Sequence, residues 1–228
     1  MATERELLPD PLPAEPMTMA VAWLAQAWQA RAQPNPDAMV LATVDSRGQP
    51  AARVVLCKQI VADPGYLLFY THYGSRKGHE IGANPRGAAV LHWDALQRQL
   101  RIEGPIVKAL PEESDAYFKT RAWQSRVGAW ASRQSEPVAS RDLLVEAVRG
   151  AAAQLGTPDV LAPSPAAKDV VVPRPPHWGG YRLWAESVEL WVAGEYRIHD
   201  RARWTRSLTP AGAHGFRASD WTATRLQP

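Results

Sequence analysis

"AMVLATVDSRGQPAARVVLCKQI", residues 38–60, decides the fold class. Two apolar, β-branched runs, 38–45 and 51–60, flank the short polar stretch 46–50, which holds Gly48 and Pro50. Strand-forming runs joined by a few turn residues fold back on each other, so this is a hairpin signal. The pattern continues downstream. "ADPG" (62–65) turns the chain into "YLLFYTH" (66–72), "SRKGHEIGANP" (75–85) fits a short helix, and "GAAVLHWDA" (87–95) and "RQLRIEGPIVKAL" (98–110) read as strands.

On the N-terminal side, Met17, Val21, Leu24 and Trp28 fall at helical spacing and predict an amphipathic helix ending near "RAQPNP" (31–36). Residues 1–16 are Pro-rich and acidic and read as a flexible arm. "PEESDAYFKTR" (111–121) opens on Pro with acids in its first turn, as helix starts prefer. Helical character continues through "WQSRVGAWAS" (123–132) and "SRDLLVEAVRGAAAQLG" (140–156). A Pro-rich loop spans about 157–176. Two strands, "YRLWAESVELWVAG" (181–194) and "EYRIHDRARWTRSL" (195–208), and "DWTATRLQP" (220–228) close the chain. Strands joined by hairpin-length links, with helices that do not alternate with them, predict a mainly β, α+β fold. The expected form is an antiparallel barrel with peripheral helices, one domain over 17–228.

Composition narrows the function. In 228 residues, 46% hydrophobic and 21% charged, the chain matches an ordinary globular protein that buries a real core. The net charge of +3 is spread without a Lys/Arg block, which argues against a nucleic-acid partner. The single cysteine, Cys57, excludes an intramolecular disulfide and reads as a buried strand residue. No apolar run approaches the ~20 residues of a membrane span, and no signal-peptide core precedes the first helix, so a cytoplasmic protein is expected. Neither common glycine-rich phosphate loop occurs, His199 has no partner at metal-ligand spacing, and no nucleophile elbow is present. No metal is expected.

Four stretches carry chemistry. "RVVLCK" (53–58) puts Arg53 and Lys58 near opposite ends of a strand and, five apart, on opposite faces; exposed strand ends are the alternative. "YTHYGSRKG" (70–78) gathers Thr71, Ser75, Arg76 and Lys77 at a strand-to-helix junction, either a phosphate cradle or a solvated basic turn. In 115–126, Tyr117, Arg121 and Ser125 share one face if a single helix continues through them. They suit a phosphate monoester, or belong to a capped helix surface. In "WVAGEYRIHDR" (191–201), strand alternation would put Arg197, His199 and Arg201 on one face, with Trp191 available to border a flat ligand.

These segments together resemble the FMN-dependent pyridoxine/pyridoxamine 5′-phosphate oxidases from about residue 34 to 228. "GAWASRQS" (128–135) and "PPHWGGYR" (175–182) are the most telling, and "RIHDR" (197–201) replaces the family's Arg-Leu-His-Asp-Arg. The resemblance implies an FMN-binding split β-barrel and a homodimer with FMN at the subunit interface. It implies FMN contacts from Arg53, Val54, Val55, Leu56, Cys57, Lys58, Tyr70, Thr71, Arg76, Lys77, Gln99, Gln134, Ser135, Trp191 and Arg201. Lys58, Tyr117, Arg121 and Ser125 would take the substrate phosphate. Arg197 and His199 would border the pyridine ring as catalytic residues. The implied reaction oxidises pyridoxamine or pyridoxine 5′-phosphate to pyridoxal 5′-phosphate, with O2 as the final acceptor. The alternatives are a phenazine-type oxidase on the same barrel and a non-catalytic flavin or pyridoxal-phosphate binder. Two positions depart from the family pattern. The segment ahead of the first helix carries Arg5 but no Tyr, and Val192 stands where a Gln is common.

Overall fold

The computed structural model describes residues 7–162 and 170–228. Residues 1–6 of the expected arm, Arg5 among them, and 163–169 of the Pro-rich loop lie outside the described residues. The elements run α1 Met17–Gln29, β1 Ala38–Val44, β2 Pro50–Leu56, β3 Gln59–Val61, β4 Tyr66–His72, α2 Arg76–Ala83, β5 Arg86–Trp93 and β6 Arg98–Lys108. They continue α3 Pro111–Thr120, α4 Trp123–Ala131, α5 Arg141–Gln154, β7 Trp178–Trp184, β8 Ser187–Val192, β9 Asp200–Thr205, β10 Leu208–Pro210, β11 Phe216–Ala218 and β12 Thr222–Leu226. Two compact units emerge: the first takes the chain up to Phe69, Glu80–Lys108 and Tyr181–Pro228, the second Tyr70–His79 and Ala109–Gly180. No helix among the described residues is long and apolar enough to cross a membrane.

The first unit is built on a sheet of order β12-β9-β8-β6-β5-β1-β2, antiparallel at each step. The opening hairpin forms as read, Ala38 facing Leu56 and Val44 facing Pro50. The Asp45 carboxylate closes its turn by accepting the N–H groups of Arg47 and Gln49 at 2.8 and 2.9 Å. β6 pairs twice, 98–103 with β8 and 106–108 with β7. The exchange happens at Gly104, where a Cβ would lie 2.0 Å from the Trp184 carbonyl oxygen, so no other residue fits. Alternate residues of these strands (Leu100, Ile102, Val188, Leu190, Ala202, Trp204) fill the core, the period-two burial a sheet requires. Each large side chain so buried contributes roughly 1.5–3 kcal/mol.

Residues 8–13 pack onto this unit: Leu8 N–H donates to the Asp200 carboxylate and Trp204 Nε1 to the Pro13 carbonyl, both at 2.8 Å. The helix read at 17–29 is present, but its buried face is Met17, Ala20, Trp23 and Ala27, while Val21 and Trp28 are exposed. Trp23 is the stronger anchor, since Arg98 also covers its ring at 4.9 Å.

Three local expectations are corrected. The run 181–194 is not one strand. The backbone N–H groups of Ala185 and Glu186 turn aside to the carbonyls of Gly65 and Glu103, ending β7 and starting β8. The run 191–201 is not a strand either. Trp191 pairs directly with Arg201 across β8 and β9, so the chain must reverse between them, through a short helical turn at Glu195–Arg197. Lys58 lies beyond the end of β2, its N–H bonded to Leu68 across the β3–β4 pairing.

In the second unit Phe118, Trp123, Val127, Ala152, Val172 and Trp178 form the core. The helix expected to continue through 115–126 breaks at Arg121, whose φ of −73° and ψ of 147° are extended. A continuous helix would set positions 118 and 123, five residues apart, on well-separated faces. The break lets both rings enter one core, at 1% and 7% exposure. That burial outweighs the lost helical hydrogen bonds.

Candidate active site

Lys77, in the first turn of α2, is buried, and its ammonium reaches three neutral oxygens. It donates to Gln134 Oε1 at 2.8 Å, Thr71 Oγ1 at 3.1 Å and Ser75 Oγ at 3.3 Å. Thr71 Oγ1 also donates to Gln134 Oε1 at 3.1 Å. Residues 63 positions apart thus form one clamp in the second unit, beside exposed Arg76 and next to Ser135, whose φ of 79° is left-handed. A buried ammonium beside two hydroxyls and an amide is a donor set chemically suited to an anion.

The second unit holds another cation. Arg121 stacks 4.7 Å over Trp178 and 5.5 Å from Phe118, and Trp178 lies parallel to Tyr70, itself 4.0 Å from Tyr117. The Nη1 of Arg121 is buried and makes no hydrogen bond among the described residues. Desolvation lowers the Arg121 pKa from its ordinary value, opposed by Tyr117. A buried guanidinium donor without a partner is costly in a native fold, and an anionic oxygen is the group that would satisfy it. Tyr117, Tyr70 and Arg121 therefore come together. Ser125 sits apart from the expected shared face, exposed in the first turn of α4, because the helix breaks before it.

In the first unit, Arg53 of β2 donates to Glu80 Oε2 at 2.7 Å, to the Leu41 carbonyl at 3.3 Å and to Thr43 Oγ1. Thr43 in turn donates to Glu80 at 2.5 Å. Lys58 donates to Asp37 at 2.8 Å. Along β2, Val54 and Leu56 are exposed and Val55 half-buried; Cys57 beyond it is buried, and desolvation pushes its thiol pKa up to about 12.

The expected single face of Arg197, His199 and Arg201 does not form, since the first two belong to the β8–β9 connection and the third to β9. His199 packs 4.7 Å from Trp191, and its Nδ1 accepts the Gly194 N–H at 3.1 Å, leaving the proton of the neutral ring on Nε2. Gly194 is required here, because a Cβ would meet the Ile198 carbonyl oxygen at 1.6 Å. Tyr196 and Arg197 hold left-handed φ values of 52° and 65°, which presents exposed Arg197 at the tip. Arg201 spends Nε and Nη2 on the buried Glu189 carboxylate, at 3.1 and 2.8 Å, and Nη1 on the Gln227 carbonyl. Gln99 faces Trp191 across β6 and β8. Val192 points into the core at 2% exposure.

Comparison with known proteins follows this geometry. Residues 25–154 match the family model described as "Pyridoxamine 5'-phosphate oxidase", and 178–228 match "Pyridoxine 5'-phosphate oxidase C-terminal dimerisation region". The chain belongs to the pyridoxamine 5′-phosphate oxidase family. Members of this family are FMN-dependent oxidoreductases. A pyridoxine/pyridoxamine 5′-phosphate oxidase of Paracoccus denitrificans is 45% identical, covering 94% of this chain and 95% of its own. One from Paraburkholderia phytofirmans is 46% identical, covering 90% and 85%. Among solved structures, PhzG from Burkholderia lata, in complex with tetrahydrophenazine-1-carboxylic acid, superposes at a TM-score of 0.79 with 31% identity over 98% of each chain. A related FMN-binding protein of Nostoc punctiforme, at TM-score 0.65 and 17% identity, shares the fold. The expected split-barrel fold of this family is thereby established for the antiparallel sheet described above.

The carboxylates beside these cations escaped the sequence reading. Asp37, Glu80 and Glu189 each hold one of the basic residues that the motifs singled out. Only Glu80 left a trace, as an acid inside the basic stretch "SRKGHE".

Proposed function

We propose that this chain oxidises pyridoxamine 5′-phosphate, pyridoxine 5′-phosphate or both to pyridoxal 5′-phosphate. The observation that carries the reading is Arg121, a stacked guanidinium whose buried Nη1 has no partner among the described residues, separate in sequence from the Lys77 clamp. Two phosphorylated rings need two anion sites, and these are two. Bound FMN would supply the redox chemistry, taking up a hydride equivalent from C4′ with O2 as the final oxidant, reduced to H2O2; for the amine substrate, water would then release ammonia to leave the aldehyde. The clamp of Lys77, Thr71 and Gln134, with Arg53, Arg76 and Ser135, would hold the flavin's phosphate. The backbone from Arg53 to Lys58, with Tyr70, Gln99, Trp191 and Arg201, would complete its contacts.

Arg121 and Tyr117 would hold the vitamer phosphate and so orient C4′ for oxidation, and the family resemblance would add Lys58 and Ser125 to them. Arg197 and His199 would border the pyridine ring. A guanidinium there steadies negative charge on the ring substituents, and His199 offers Nε2–H as donor. The exposed apolar side chains Val54, Leu56, Tyr196 and Ile198, with the matched dimerisation region, support a homodimer with FMN at its interface.

The test is anaerobic mixing of the FMN-loaded chain with pyridoxamine 5′-phosphate. The visible absorbance of oxidised flavin should bleach and return with peroxide on admitting air; a flavin that stays oxidised beside excess vitamer rejects the proposal. The similarity to PhzG favours one second reading, an oxidase of reduced phenazine carboxylates. A carboxylated tricycle carries no phosphate for Arg121, so side-by-side turnover of the two substrates separates the readings.

A further inference from the structure

We propose that His72 is a positioning residue that holds the Lys77–Gln134 clamp closed for the phosphate of FMN, an inference resting on the assignment of that clamp to the flavin. His72 ends β4, between Thr71 of the clamp and the turn into α2. Its Nδ1 accepts the Gly74 N–H at 3.1 Å, and its ring packs 4.4 Å from the ring of His177. His72 therefore braces the 71–77 turn and, through the His177 ring packed on it, meets the segment that runs from Ala129 to Gln134. Those are the two walls whose side chains meet at 2.8 Å between Lys77 Nζ and Gln134 Oε1.

A second imidazole backs the first. The His177 ring lies 4.4 Å away, its Nε2 is 3.1 Å from the Ala129 carbonyl, and its own carbonyl accepts the Tyr73 N–H at 2.7 Å. The groups that face His72 are thus His177, from the segment before β7, Glu136, after α4, and Lys77, from α2. Because Nδ1 already accepts a hydrogen bond, the bridge works with a neutral ring, and beside Lys77 and His177 a neutral ring is the one favoured. A short, stiff side chain bonded to its own turn and packed on a second imidazole removes freedom that ligand binding would otherwise have to remove, so the clamp is aimed before the phosphate arrives. His72 acts on the clamp through the turn that it braces, which makes its action indirect.

The experiment titrates the flavin-stripped, full-length chain with FMN and with riboflavin at pH 8, following quenching of flavin fluorescence. His72→Ala should weaken FMN at least tenfold and riboflavin, which lacks the phosphate, less than twofold. His72→Asn, whose Oδ1 stands where Nδ1 accepted, should recover part of the FMN loss. Equal FMN affinity in wild type and His72→Ala overturns the proposal, as do proportionate losses of both flavins or an Asn variant no better than Ala. If the Ala variant does not fold, imidazole 15N NMR of the wild-type chain makes the same test. FMN, but not riboflavin, should slow exchange of the His72 ring N–H, and unaltered exchange overturns the proposal. A wild-type chain that binds neither flavin removes the functional reading and this inference together, whereas tight FMN binding indifferent to His72 removes the inference alone.

Discussion

The guanidinium of Arg121 lies 4.7 Å over the ring of Trp178 while its Nη1, buried, makes no hydrogen bond among the described residues. Stacking offsets part of the desolvation that lowers the arginine's pKa, and a guanidinium remains charged across the physiological range. Arg121→Ala should therefore remove charge-assisted hydrogen bonds to the vitamer phosphate of about 1.5–3 kcal/mol, roughly 10- to 150-fold in kcat/KM. Steady-state kinetics checks this, with unphosphorylated pyridoxamine as the control substrate that should lose nothing.

Arg197 has no part in the core, and its left-handed backbone holds it at an exposed tip. Arg197→Ala should lower turnover by roughly a hundredfold, the usual effect of deleting a donor aimed at developing charge, while flavin stays bound. Turnover equal to wild type, with the variant still yellow, would remove Arg197 from the chemistry.

Glu80 is 3% exposed and accepts from both Arg53 and Thr43. Glu80→Ala leaves the half-buried guanidinium without its anion and should cost roughly 1.5–3 kcal/mol of stability, with Glu80→Gln losing less because an acceptor remains. Urea unfolding of the three proteins orders them, and an Ala variant as stable as wild type contradicts the network.

Cys57 is buried, and desolvation holds its pKa at about 12. At pH 8 the thiol is protonated and shielded, so thiol reagents should leave the native chain unmodified and label it fully once it unfolds. Mass spectrometry before and after denaturation decides the point.

Burial and the neighbouring His177 lower the His72 pKa from its ordinary 6.5. The folded chain prefers the neutral ring, so unfolding takes up a proton below pH 6.5. Stability from this ring is complete above that pH and is lost as pH falls toward the lower folded value. Thermal midpoints of wild type should fall more steeply below pH 6.5 than those of His72→Asn, and parallel curves would refute the linkage.

The strand and helix grammar was legible because it is local. The 38–56 hairpin, the α2 junction after "YTHYG" and the start of α3 at Pro111 all follow from periodicity and turn chemistry in neighbouring residues. The errors came where distant groups competed for the backbone. Burial of Phe118 and Trp123 in one core broke a helix at Arg121, and the pairing of Trp191 with Arg201 turned a supposed strand into a loop.

By itself the sequence determined the fold class, the family and the identity of the cations, because apolar period, turn residues and ordered motifs are properties of a linear string. Only the tertiary structure decided which carboxylate or oxygen meets each cation, Asp37 with Lys58, Glu189 with Arg201, Gln134 with Lys77, and which guanidinium is left unpaired. The physical reason is range. A propensity acts over a few residues, whereas a hydrogen bond needs a partner within about 3 Å that the chain can bring from any distance along itself.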